Sequence, residues 1–208
     1  MWLSSARPIP MTYRKQQIGM QTPVLGIVLH TTNASRNQTL DELGASWQGL
    51  QFQSAHFAID RSGEVAQYRS MNDVAWHIGG LSTRYIGIEH VATHREPLTE
   101  PQLKASGKLC AAIAALLGIP IQLMGQAGDP GIGVHAQFMP TGCGQDVFWS
   151  HTRTELDPEV IKASKRPPGK NDRTFHTRQF SSVFMTALLE SQLGSSSPTT
   201  STTPTFTA

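Results

Sequence analysis

Val24-Leu25-Gly26-Ile27-Val28-Leu29-His30-Thr31-Thr32-Asn33 is a short apolar run that follows Pro23 and stops in a polar turn. A run without alternation reads as a strand buried on both faces, as in a sheet covered by helices on each side. His30 closes that strand, and in such sheets chemistry gathers at strand ends and in the loops beyond them. Further along, Tyr85-Ile86-Gly87-Ile88-Glu89-His90-Val91 reads as another strand. It sets Ile86, Ile88 and His90 on one face and Tyr85, Gly87, Glu89 and Val91 on the other. Between the two, Ser54–Tyr68 reads as a β-hairpin that turns through Asp60-Arg61-Ser62-Gly63.

Helices alternate with these strands, which makes the fold class α/β. Thr39-Leu40-Asp41-Glu42 has the form of a capping box, and Leu40, Leu43, Trp47 and Leu50 follow at helical spacing. A second box, Thr99-Glu100-Pro101-Gln102, opens a longer helix with Leu103, Cys110, Ile113, Ala114 and Leu117 as its apolar stripe and Gly118 as its stop. Phe180, Val183, Phe184, Ala187 and Leu188 mark a last amphipathic helix. Residues 1–22 read as an extended leader, and residues 23–193 as one domain. Within it, Gly125–Gly144 is loosely patterned and rich in glycine, and about 150–173 is a charged, proline-containing insertion or long loop. From Gly194 to Ala208 the chain is mostly Ser, Thr and Pro, a composition expected to be disordered.

The 208 residues are enough for one domain with a full core, and two cysteines allow at most one disulfide. Charged residues make up 15%, against roughly 25% in an average soluble domain, and the net charge is +2. That argues against a nucleic-acid-binding stripe or a coiled coil. Met1–Pro8 lacks the charged-then-apolar pattern of a secretory signal. The most apolar stretch, Cys110–Ile121, is well short of the ~20 residues of a membrane span. The expectation is a soluble monomer made in the cytoplasm.

Eight histidines make the chain rich in imidazoles. His135 and Cys143 lie eight positions apart in the glycine-rich stretch. With His30 they would offer two imidazoles and a thiolate, a zinc set with a fourth position left for water. Spacing alone equally allows a buried Cys143 and a hydrogen-bonded surface His135. Glu89 could face solvent, His56 could be a core histidine, and Trp76 could be ordinary packing. Cys110 reads as an inert core thiol, and His90, His94, His151 and His176 read as surface residues.

Four stretches occur in one order with one set of gaps: Ile27-Val28-Leu29-His30-Thr31-Thr32, Ser54–Gly63, Ala75-Trp76-His77-Ile78-Gly79-Gly80 and Ile86-Gly87-Ile88-Glu89. Together with His135 and Cys143, over about residues 24–148, they resemble the type 2 N-acetylmuramoyl-L-alanine amidases. The resemblance implies a mixed central sheet flanked by helices, a Zn2+ ion in a surface groove, and cleavage between N-acetylmuramic acid and L-alanine. It implies His30, His135 and Cys143 as metal ligands and Glu89 as the catalytic carboxylate. Some relatives place a tyrosine just before the hairpin histidine as the base; here Ala55 stands there, before His56. Thr141 matches a position that is Lys or Thr in active relatives, suited to hydrogen-bonding the oxyanion. His56, Trp76 and His77 match segments that line the substrate groove. Where the family often has Pro-Gly after the last ligand, Cys143 is followed by Gly144-Gln145-Asp146.

The implied partner is peptidoglycan or a soluble muropeptide. A Cys as the last ligand resembles the phage and animal branches, whereas the cytoplasmic recycling branch has Asp there. The expectation is a phage lysin or a delivered antibacterial effector acting in the periplasm or cell wall, and an effector would need an immunity protein in its producer. Two rivals use the same residues. One is a cell-wall cysteine peptidase with Cys143 as nucleophile, His135 as base and Asp146 orienting it. The other is a non-catalytic peptidoglycan-binding module.

Overall fold

The computed structural model describes residues 1–11, 18–48, 50, 53–93, 96–139, 141, 143 and 182–193. The insertion at about 150–173, the tail from 194, Asp146, His94, His151 and His176 lie outside the described residues.

Six strands form one mixed sheet. They are β1 (Arg7–Pro8), β2 (Gly26–Thr31), β3 (Phe57–Ile59), β4 (Val65–Gln67), β5 (Tyr85–His90) and β6 (Gly131–Val134). Their spatial order is β1-β4-β3-β5-β2-β6. Among the described strand pairs only the hairpin β3–β4 is antiparallel; the others run parallel. All six β2 residues are buried, as the unbroken apolar run requires. The helices are α1 (Leu40–Trp47), α2 (Glu100–Leu117) and α3 (Ser182–Leu193).

Alternation along the strands separates two cores. Ile27, Leu29, Phe57, Ile59, Ile86 and Ile88 face a cluster completed by Leu109, Cys110 and Ile113 of α2 and Phe184 and Leu188 of α3. On the other side Ala58, Ala66 and Val91 pack with Leu40, Leu43 and Trp47 of α1. Next to them Val28 and Tyr85 meet Ile78 and Met124. Burying each large side chain stabilises the fold by about 1.5–3 kcal/mol. Both capping boxes form: Thr39 Oγ1 accepts from Glu42 N and Thr99 Oγ1 from Gln102 N, each at 3.2 Å. Gly118 ends α2 at φ 67°.

Four details differ from the sequence reading. The segment read as a leader adds an edge strand, with Arg7–Pro8 pairing with β4 and Ile9 N donating to Gln67 O at 2.8 Å. The loosely patterned stretch contains β6, which pairs with β2. Its Gly-Ile-Gly-Val sequence carries too few side chains to announce a strand. α1 stops at Trp47, where Gln48 leaves the helical region, so Leu50 is exposed rather than on the stripe. His90, read as a surface residue, is fully buried, and its Nδ1–H donates to His30 O at 2.9 Å.

Candidate metal centre

Parallel pairing brings three strand ends to one place. In the β2–β5 register His30 sits beside Glu89, and on the other side of β2 the chain leaves β6 directly into His135. Cys143 folds back on the same end. Thr31 N–H donates to its Sγ at 3.3 Å, and Sγ lies 3.5 Å from Thr31 O. His30 Nδ1 is 3.1 Å from His135 Nδ1 and 3.6 Å from Cys143 Sγ. The ligand atoms of His30, His135 and Cys143 all lie within 4.8 Å of one another. Tetrahedral zinc, with bonds of about 2.0–2.1 Å to nitrogen and about 2.3 Å to sulfur, asks for nitrogen–nitrogen and nitrogen–sulfur separations near 3.3 and 3.6 Å. The donor set and its spacing therefore fit zinc.

Burial dominates the electrostatics. Desolvation, then the neighbouring His77, His135 and His90, hold His30 well below the usual imidazole range, so its ring is neutral and able to ligate. Burial and then the Glu89 charge push the Cys143 thiol up to about 12. A thiol held there ionises with a metal cation beside it, and is poorly suited to be a free nucleophile. Burial also raises the Glu89 carboxyl to about 8. Its Oε1 is 4.0 Å from His30 Nδ1, beyond hydrogen-bonding distance. Its Oε2 is buried without a hydrogen-bond partner among the described residues. A carboxyl so placed has spare acceptor capacity beside the cluster. Thr141 Oγ1 accepts from Cys143 N at 3.2 Å, which leaves its O–H directed elsewhere.

The remaining three sequence candidates are placed differently. His56 is fully buried, and both its ring nitrogens meet backbone: Nε2–H donates to Asp73 O and Nδ1 accepts from Gly87 N, each at 3.0 Å. His77 lies beside the cluster, its Nδ1 3.0 Å from His30 Nε2 and its Nε2 3.0 Å from Tyr85 O. Trp76 is half-buried, and its backbone N–H donates to Ser54 Oγ at 3.0 Å. Ser82 escaped the sequence reading because it carries no motif. Its hydroxyl accepts from His77 N at 3.1 Å and Ile78 N at 2.9 Å, fixing the turn that carries His77. His90 also escaped it, and its bond to the His30 carbonyl holds the backbone at His30.

Residues 20–155 match the family model described as N-acetylmuramoyl-L-alanine amidase. Among curated proteins no significant match was found. Several solved structures share the fold at low identity. The endolysin N-acetylmuramoyl-L-alanine amidase LysCS from Clostridium intestinale is 19% identical, with TM-score 0.55 over 78% of this chain and 95% of its own. The Staphylococcus aureus hydrolase AmiA is 17% identical, with TM-score 0.51 over 65% of this chain and 70% of its own. Peptidoglycan recognition protein-LE, solved with tracheal cytotoxin, is 18% identical, with TM-score 0.53 over 68% of this chain and 88% of its own.

Proposed function

The chain belongs to the N-acetylmuramoyl-L-alanine amidase family, and from that premise we propose that it is a zinc-dependent peptidoglycan amidase using His30, His135 and Cys143 as ligands. The observation that carries this reading is the convergence of those three donors within 4.8 Å of one another at one end of the sheet, with Glu89 paired beside His30. Zinc, when bound, supplies Lewis acidity at the lactyl carbonyl and favours ionisation of a water.

Glu89 is the proton shuttle. Its desolvated position raises its basicity, so that it accepts a proton from the attacking water and returns one to the departing alanine amine. The relatives' tyrosine is not needed at position 55, where Ala55 is wholly buried in the α1 core. The Thr141 hydroxyl, two residues before Cys143, donates to the oxyanion as it forms. The buried, high-pKa thiol of Cys143 speaks for the metal amidase over a cysteine peptidase. The presence of all three donors speaks for catalysis over mere binding. With Cys rather than Asp as third ligand, the enzyme acts on the cell wall, as a phage lysin or a delivered effector.

Mass spectrometry of peptidoglycan and of soluble muropeptides after incubation, with zinc measured on the same sample, tests the reading. The expected products are a stem peptide with a free L-alanine amine and a glycan that retains its lactyl group. Cleavage inside the stem peptide, or full activity in metal-free protein, overturns it.

A further inference from the structure

Beneath His30 lies a second imidazole whose hydrogen bonds run in one direction. The Tyr85 carbonyl oxygen can only accept, so the His77 Nε2 that sits 3.0 Å from it carries the proton. In a neutral ring His77 Nδ1 is then an acceptor, and the His30 Nε2 at 3.0 Å must be the donor. That leaves His30 Nδ1 with its lone pair, and Nδ1 is the atom that faces His135 and Cys143. We propose that His77 is a positioning residue that fixes His30 in the Nε2–H tautomer and so presents Nδ1 as a metal ligand, an inference that rests on the zinc reading above.

The surroundings are built to hold that ring. The His30 and His77 planes meet edge to face at 86°, with centroids 5.0 Å apart, so rotation of either breaks the bond. Gly87 of β5 makes room for His77: a Cβ there would fall 2.7 Å from the ring's Cγ and Cδ2. Gly87 is itself pinned, because its N–H donates to His56 Nδ1. Both polar atoms of the His77 ring are thereby committed inward, which argues against the substrate contact expected from the sequence. A hydrogen-bonded partner behind a ligating histidine sets its orientation and basicity.

The test uses the full-length protein. In the metal-free form, 15N shifts of the His30 ring nitrogens report the tautomer directly, and Nε2–H is expected. Zinc affinity is then measured by chelator competition for the unaltered protein, for His77→Leu, and for His77→Asn, whose side-chain oxygen restores an acceptor near the Nδ1 position. A 10- to 100-fold loss is expected for His77→Leu, with most of the affinity regained in His77→Asn. Zinc affinity unchanged in His77→Leu, or an Nδ1–H tautomer at His30 in the unaltered protein, overturns the inference and leaves the amidase reading standing. Failure of the unaltered protein to take up zinc overturns both.

Discussion

The proposed mechanism turns on Glu89. Glu89→Gln keeps the shape and removes the base, so turnover is expected to fall by about 10²–10⁴-fold. Metal analysis of the same preparation should still return one zinc per chain, because Glu89 is not among the three clustered donors. Near-normal release of L-alanine amines by that variant would remove Glu89 from the mechanism. Legibility at this scale was uneven. His30 stood out as a candidate because it closes a buried strand, His135 and Cys143 because they lie eight positions apart in a glycine-rich stretch, and Glu89 only through the resemblance. The hydrogen bonds of His56 and His77 were not legible at all. A sequence shows that an imidazole is present, but not which backbone groups will consume its two nitrogens.

At the scale of elements, the hairpin, the two capping boxes and the Gly118 stop were all legible, because each is a local interaction written within a few residues. β6 was not, since its existence depends on pairing with β2 more than 100 residues earlier in the chain. The α2–α3 contact is another non-local feature. A Cβ on Gly107 would come within 2.5 Å of Phe184 O and 2.9 Å of Leu188 N. Helix propensity alone would make Gly107→Ala stabilising by about 1 kcal/mol. Backbone has no side chain to yield, so the clash should prevail, with net destabilisation of about 1–3 kcal/mol as in overpacked cores. Urea denaturation of the variant checks the sign, and a gain in stability would show that α3 moves away freely. Thr99→Ala should cost about 0.5–2 kcal/mol for the lost cap of α2. The upper end is expected here, because the Thr99 hydroxyl also lies 2.7 Å from Arg61 O and ties the helix start to the hairpin turn. A loss below that range in the same assay would make the cap dispensable.

Across the whole molecule the sparse charge and plentiful imidazoles have one physical consequence, which is acid lability. His56 is buried with its ring nitrogens satisfied by backbone, and burial, then the neighbouring His77, lowers it to about 3. In the unfolded chain the same ring titrates near 6.5. Below about pH 6.5 the unfolded state therefore takes up a proton that the folded state refuses, and stability falls as pH drops toward 3; above 6.5 this group adds no slope. The limiting slope is about 1.4 kcal/mol per pH unit for one such group; His90, lowered to about 4 by burial, adds in the same direction, and Glu89, raised by burial to about 8, offsets one such group over the same range, leaving a net fall. The paired surface carboxylates Asp41, Glu96 and Glu100, held below their ordinary values by Arg7, Arg36 and Lys104, lose their contribution only at lower pH. Urea midpoints measured in chelator, so that zinc release does not contribute, should fall steadily between pH 6.5 and 4.5. His56→Gln removes the titrating group along with the acceptor for Gly87 N–H. It should be less stable than the unaltered protein at pH 7, by about 1–3 kcal/mol for the unsatisfied buried donor, yet decline less steeply on acidification. A midpoint that stays level from pH 6.5 to 5 in the unaltered protein would mean that these rings are not neutral captives of the core, and the assignment of their hydrogen bonds would have to be redrawn.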